Sequence, residues 1–312
     1  MGINIYRNNE GRFEVEPNVS IIIPVYNGEK TVERAIRSCL NQTYQSLEVL
    51  AIDNGSVDQS VQIIENLCKA DERVKLVKLT QKGRSNARNV GLDQANGAFI
   101  QFLDADDELL PHKIKTAVNF LESHADCFAY GTGIEYMTNK GAINRIPDTS
   151  NDIELMIHNI FPINTLVFRK NPIRFDKTIE FDEDWLYWVD LFKDNMSGIT
   201  MSSKIGARVH ITGENTMNDT SRMLYYEILI RGIIRQKYPI SSGELLKTDV
   251  KKMLMLNSLA HLGKITNSQY DEAAKYFMSL NKVAKVLLMI PIVRQKTDQG
   301  VNGILGKQTY QG

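Results

Sequence analysis

Residues 19–54 read VSIIIPVYNGEKTVERAIRSCLNQTYQSLEVLAIDN, two apolar runs of strand length on either side of a stretch long enough for a helix. Within that stretch Val32, Ala35, Ile36, Cys39 and Leu40 fall at i, i+3, i+4, i+7 and i+8, one stripe of a helix that has a sheet to cover. Working outward, the rhythm continues. A second helix repeats the stripe with Val61, Ile64, Leu67 and Cys68, with Ser56 placed to cap it; VKLVKLT (74–80), a third helix and AFIQFLDAD (98–106) follow. Such alternation predicts a parallel sheet covered on both faces, with strands nearly all apolar because neither face meets water. Ligands of open sheets gather at the carboxyl ends of the strands. The residues there are Tyr26-Asn27, Asp53-Asn54, Gln81-Lys82 and Asp104-Asp106.

The fourth strand ends in three carboxylates, Asp104, Asp106 and Asp107, with only Ala105 among them. Crowded carboxylates repel one another, and a hard divalent cation relieves the repulsion while keeping coordination positions open for a phosphate. The plain alternative is an acidic turn that caps the next helix.

Beyond Pro111 the alternation loosens into α+β: a helix to about Ser123, a strand at CFAYGTGIEYM (127–137), a short helix at ELMIHN, a strand at NTLVFRK (164–170) and the segment FDEDWLYWVDLF (181–192). After about Thr216 the pattern is helical without strands, with candidates at 220–236, 243–262, 270–280 and 282–293. The expected organisation is a leader (1–17), an α/β domain (18–216) in two halves (18–110 and 111–216), a helical appendage (217–295) and a loose tail (296–312) rich in Gly and polar residues.

The 312 residues carry 37 Lys and Arg against 37 Asp and Glu, so no polyelectrolyte partner is announced and nucleic acid finds no support. The three cysteines are far apart in apolar segments, as expected of buried thiols in a reducing compartment. There is no apolar signal segment and no run of about 18 apolar residues to span a membrane, so the expectation is a cytoplasmic protein. NGEKT (27–31) and YGTGIEY (130–136) lack the glycines of a phosphate loop and a dinucleotide fingerprint.

In one order the chain holds VSIIIPVYN, AIDNGSVD, KGRSNARNVGLDQANG, FLDADD, EDW and RVH, and together these resemble the family 2 glycosyltransferases of the GT-A fold. The resemblance runs from about Asn18 to Thr216. It implies a metal-dependent, inverting transfer of a sugar from a nucleotide-diphosphate sugar, commonly UDP-linked, to a glycan, glycoprotein or lipid-linked acceptor. Backbone at Pro24 and Tyr26 would lie along the base, and Asp53 or Asn54 would accept from a uracil N–H. Lys82 and Arg88 would stand near the phosphates or order the loop. Asp104, with Ala105, would hold ribose or sugar hydroxyls, while Asp106, joined by His210 between Arg208 and Asn215, would hold Mn²⁺ or Mg²⁺. Asp184, paired with Glu183, would take the acceptor's proton, and Asp182 leaves that assignment ambiguous by one residue.

Where the family carries two aspartates after the second strand, this chain has Asp53-Asn54, which leaves a thymidine-linked donor open. The QxxRW segment and flanking membrane spans of processive synthases are missing from the sequence, which points to single addition. A non-catalytic nucleotide-sugar-binding or scaffolding protein of the same fold is the alternative. KVAKVLLMIPIVRQK (282–296) mixes basic and apolar residues, and could rest on the inner face of the membrane, form a homodimer or pack on the domain.

Overall fold

A computed structural model describes residues 5–7, 13–15, 18–151, 153–193, 196–211, 219–239 and 243–306. They divide into two compact units, one of residues 1–150 with 161–210 and the other of residues 151–160 with 211–312. A small antiparallel pair, β1 (Ile5–Arg7) and β2 (Phe13–Val15), precedes the main sheet.

The first unit opens with the expected alternation: β3 (Val19–Val25), α1 (Val32–Leu40), β4 (Leu47–Asp53), α2 (Ser60–Ala70), β5 (Val74–Lys78), α3 (Arg84–Gln94) and β6 (Phe99–Phe102). These strands are mutually parallel, in the order β5-β4-β3-β6. The chain thus steps from β3 out to β5 and then returns past β3 to β6. Right-handed crossovers put α1 and α2 on one face and α3 on the other. The carboxyl ends of β3 and β6 therefore flank the crevice where the winding reverses.

The remaining elements are β7 (Glu108–Leu109), α4 (Lys113–Ser123), β8 (Ala129–Thr138), β9 (Gly141–Arg145), α5 (Glu154–Ile157, in the second unit), β10 (Leu166–Arg169), α6 (Glu183–Phe192) and β11 (Ile199–His210). The sheet grows to nine strands in the order β5-β4-β3-β6-β10-β8-β11-β7, with β9 on β8. It is mixed here: β10 is antiparallel to β6 and β8, and β7 to β11, while β11 runs parallel to β8.

The core of this unit is aromatic under α6. Trp188 and Tyr187 are buried, Tyr187 stacks on Phe175 at 4.1 Å, and Phe102 and Phe168 close the cluster. Trp188 Nε1 donates to Phe161 O at 2.8 Å, so the indole is satisfied and the helix cannot turn about its axis without losing that bond. One expectation fails. Ser56 does not cap α2, because its Oγ accepts from Asn27 N; Asp58 Oδ1 instead accepts from Ser60 N at 3.0 Å at the start of that helix.

At the opposite, amino end of the strands Glu48 is buried and accepts from Ser20 Oγ (2.7 Å), Asn96 N (2.7 Å) and Lys75 Nζ (2.8 Å). Burial alone would raise its pKa, but the bonds from Lys75, Asn96 and Ser20 outweigh it and hold the carboxyl below its ordinary 4.5. The stabilisation is therefore full above pH 4.5 and is lost as pH falls through the folded-state value. Glu48→Gln is expected to cost about 2 kcal/mol at pH 7, since an amide turns a donor toward Lys75. In urea melts the gap between wild type and variant should close as the pH is lowered below 4.5; a gap that is flat with pH would exclude this network as its source.

The second unit is all helical: α7 (Thr220–Lys237), α8 (Gly243–His261), α9 (Asn267–Ala274), α10 (Met278–Leu288) and α11 (Pro291–Leu305), with the short α5. Leu224, Ile228, Leu256, Leu259, Phe277 and Val301 are among its core. Arg231 and Asp249 pair inside it at 2.8 Å, and Arg231 also donates to Met156 O, which ties the 151–160 segment to α7. Two expectations are corrected. The helix expected at 282–293 is broken, because Pro291 cannot donate to the preceding turn; it instead starts α11 at its first turn. The stretch from 296, expected as a loose tail, is helical to Leu305, and Val301 is 1% exposed against the core.

Candidate active site

At the carboxyl end of β3 the chain turns through Asn27, whose φ of 49° is left-handed. The turn is stitched to the loop after β4: Asn27 N donates to Ser56 Oγ (3.0 Å), Val57 N donates to Asn27 Oδ1 (2.9 Å) and Gly28 N donates to Ser60 Oγ (2.8 Å). Only one other non-glycine among the described residues has positive φ, Asp182 at 53°, immediately before α6. Strain of this kind persists where surrounding contacts over-determine it, and here it aims the two loops that carry the candidate residues.

Tyr26 is 56% exposed, Lys82 Nζ stands 5.3 Å from its ring centroid, and Pro24 is half-buried just before it. This leaves a ring face and a cation at the crevice. Asp53 and Asn54 divide. The side-chain carbonyl of Asn54 accepts from Gly83 N at 2.7 Å, whereas the buried Asp53 carboxylate takes Ser56 N at 3.0 Å and has lone pairs for further donors. Of the two, Asp53 is the better acceptor for a base.

Arg88 is the residue whose position changes most from the sequence reading. It is 2% exposed and donates through one nitrogen to Glu183 and through the other to Asp104 Oδ1 at 2.9 Å. Burial would lower the guanidinium's pKa; Glu183, Asp104 and Asp184 together raise it beyond its ordinary value. Arg88 therefore couples the acidic turn after β6 to the start of α6. The rest of the same α3 face does similar work: Asn89 exchanges bonds of 2.9 and 2.8 Å with the Phe175 backbone, and Ser85 Oγ donates to Ile179 O at 3.3 Å.

One oxygen from each of Asp104, Asp106 and Asp107 lies within 4.8 Å of the others, with Ala105 half-buried between. The three differ in commitment. Asp107 is buried, taking Asn164 Nδ2 at 2.6 Å and His210 N at 3.0 Å. Asp104 takes Arg88, and its own N–H donates to Asn164 Oδ1 at 3.1 Å. Asp106 has its pKa raised, first by burial and then by the Asp104 charge. An all-oxygen cluster with surplus negative charge fits a hard divalent cation.

His210 reaches the turn because β7 follows it directly and pairs with the end of β11, Arg208 opposite Glu108. Its Nε2 lies 2.6 Å from Glu108 Oε1, so it is Glu108 rather than the carboxylate trio that this nitrogen faces. Arg208 is bound to Glu135 at 2.6 Å, and Asn215 lies outside the described residues. At α6, Glu183 is 3% exposed and sealed against Arg88, whereas Asp184 is half-buried. The sequence reading missed Asn164 and Asn89 as supports. Ser85, Arg88 and Asn89 at i, i+3 and i+4 were a legible signal, a polar stripe on a helix that has to pack on the sheet.

Residues 20–193 match the family model described as glycosyl transferase family 2. The chain belongs to that family. An uncharacterized glycosyltransferase of Haemophilus influenzae is 35% identical over 209 residues, 62% of this chain and 80% of that protein. The Escherichia coli UDP-Glc:alpha-D-GlcNAc-diphosphoundecaprenol beta-1,3-glucosyltransferase WfgD is 32% identical over 184 residues, 57% of this chain and 70% of its own. Of four further curated glycosyltransferases the chain spans 30–60% of the length.

Among solved structures, S. aureus TarS 1-349 in complex with UDP-GlcNAc covers 92% of this chain and 90% of its own at 19% identity and a TM-score of 0.64. The mannosyltransferase PcManGT from Pyrobaculum calidifontis, in complex with GDP-Man and Mn2+, covers 93% of this chain and 85% of its own at 16% identity and a TM-score of 0.57. At these identities the likeness concerns the fold, and the expected GT-A class with helices after the sheet unit is what they share. This family 2 member is a glycosyltransferase, and Arg88 and His210 join the KGRSNARN, FLDADD, EDW and RVH motifs around the carboxylate trio.

Proposed function

We propose that this glycosyltransferase moves one sugar, with inversion, from a UDP-linked donor to a lipid-linked or other glycan acceptor on the cytoplasmic side of the membrane. The observation that carries the reading is the Arg88 bridge: one buried guanidinium holds Asp104, beside the metal-binding carboxylates, and Glu183, beside the proposed base. A donor held at the first end then faces the second.

In this reading Tyr26 and Pro24 lie along the base, Asp53 accepts from it, and Lys82 stands by the phosphates. Asp104 takes hydroxyls of the ribose or the sugar. A Mn²⁺ or Mg²⁺ ion, when bound at Asp106, offsets the charge that develops on the departing diphosphate. Asp184 accepts the proton of the acceptor hydroxyl as it attacks the anomeric carbon opposite the leaving group, which inverts the configuration. The UDP-linked donor is supported by the TarS and WfgD names, and the lipid-linked acceptor by the WfgD name. Among the described residues no helix is long and apolar enough to cross a membrane.

The test is a melting and hydrolysis panel of UDP-, dTDP- and GDP-sugars, with Mn²⁺ or with chelator. A donor at a hundred times its Kd is expected to stabilise by about 2.7 kcal/mol with metal. Asp106→Ala should lose that gain and the slow donor hydrolysis with it. Stabilisation that ignores both chelator and variant would remove the metal role, and stabilisation without hydrolysis or transfer would leave a nucleotide-sugar-binding protein.

A further inference from the structure

Ten large hydrophobic side chains are exposed among the described residues, and six of them, Met278, Val286, Met289, Ile290, Ile292 and Ile304, lie between 278 and 304. The concentration is local and has a helical reason. Along α10 and its capping residue Met289, Lys282, Lys285, Val286 and Met289 stand at i, i+3, i+4 and i+7 on one face, while Ala284 and Leu288 are buried on the other. The Pro291 break then turns the chain, so that Ile290 (46% exposed) and Ile292 (59% exposed) project at the corner with Met289 (77% exposed). Isolated exposed apolar residues need no explanation, but a run of them at one corner does.

Charge selects the partner. From Met278 to Thr297 the chain has four basic residues, Lys282, Lys285, Arg294 and Lys296, all exposed, and no acidic one. Beside the corner a cleft of ≈280 Å³ is lined by His261, Lys285, Arg294, Ser258 and Asp298 among others. Its one carboxylate is already engaged: Asp298 Oδ1 accepts from Ser258 Oγ, and Oδ2 lies 3.9 Å from His261 Nε2. Cations ringing an apolar tip match a bilayer surface, where the tip enters the acyl boundary and the cations meet lipid phosphates. A second copy of this chain would bring the same four cations against themselves.

We propose that the α10–α11 corner docks the enzyme on an anionic lipid bilayer, with Met289, Ile290 and Ile292 inserted and Lys282, Lys285, Arg294 and Lys296 on the headgroups. The inference rests on the acceptor reading only for its biological use. Binding to vesicles is measured without donor, metal or acceptor, so failure of either proposal leaves the other standing.

The experiment is flotation of the full chain with phosphatidylcholine vesicles, neutral or with 30% phosphatidylglycerol. Wild type should float with the anionic vesicles only, and less as salt is raised. Met289→Ser/Ile290→Ser/Ile292→Ser should abolish flotation with melting temperature unchanged, since the residues are exposed. Lys282→Gln/Lys285→Gln should weaken it by roughly fivefold for each cation removed, and this second set decides the matter if the first unfolds. No flotation of wild type, equal flotation with neutral vesicles, or flotation that survives both sets would overturn the proposal. So would a dimer in light scattering that the Ser variant dissociates without any loss of lipid binding.

Discussion

Asp184→Asn is expected to bind the nucleotide sugar as wild type does and to transfer it about a thousandfold more slowly. The amide keeps the size and the hydrogen-bonding outline of the carboxylate but cannot take a proton. Asp184 sits in the first turn of α6, half-buried, beside a Glu183 that is sealed against Arg88. Its charge is among those that raise the pKa of the Arg88 guanidinium above its ordinary value, after Glu183 and Asp104. Glu183 is buried against Arg88 while Asp184 is half-buried, so the two acids are not interchangeable. Donor-dependent melting shifts separate a binding defect from a chemical one. Unchanged transfer by Asp184→Asn together with loss in Asp182→Asn would move the base two residues back.

The parallel half of the sheet was legible because β3, β4 and β6 are buried on both faces and nearly all their residues are apolar, Ser20, Glu48, Asp53 and Gln101 excepted. β7 was not, since Glu108-Leu109 is two residues long and exists only through its pairing with β11. Nor was the inclusion of residues 151–160 in the helical unit, where Arg231 bonds Met156 O across 75 positions of sequence. At the site, Asp104, Asp106 and the EDW segment could be read from motif and spacing. Their supports could not: Asn164, which bonds both Asp104 N and Asp107, stands in an ordinary PINTLVF stretch and acquires its role from the placement of β10 beside β6. Lys82 and Arg88 looked alike as cations after the third strand. The structure separates them by burial, one over an exposed ring and the other inside.

Arg88→Met is the second large effect. Removing a buried cation leaves Glu183, 3% exposed, with the half-exposed Arg84 at 3.9 Å in place of a contacting cation, and the loss is expected to be about 3 kcal/mol of stability. Transfer should fall by more than a hundredfold even at temperatures where the variant is folded, because the start of α6 is no longer held to the Asp104 turn and misplacement by about an ångström has that scale of cost. Arg88→Lys separates charge from geometry: a single ammonium can neutralise one carboxylate but cannot fork between Glu183 and Asp104, so stability should recover further than turnover. A double-mutant cycle supplies the decisive number. In a Glu183→Gln background the uncompensated charge is already gone, so Arg88→Met should cost markedly less there than in wild type. Additive losses would mean that the ion pair is not what Arg88 contributes, and equal recovery of turnover and stability in Arg88→Lys would reduce its role from positioning the two halves of the site to neutralising buried charge.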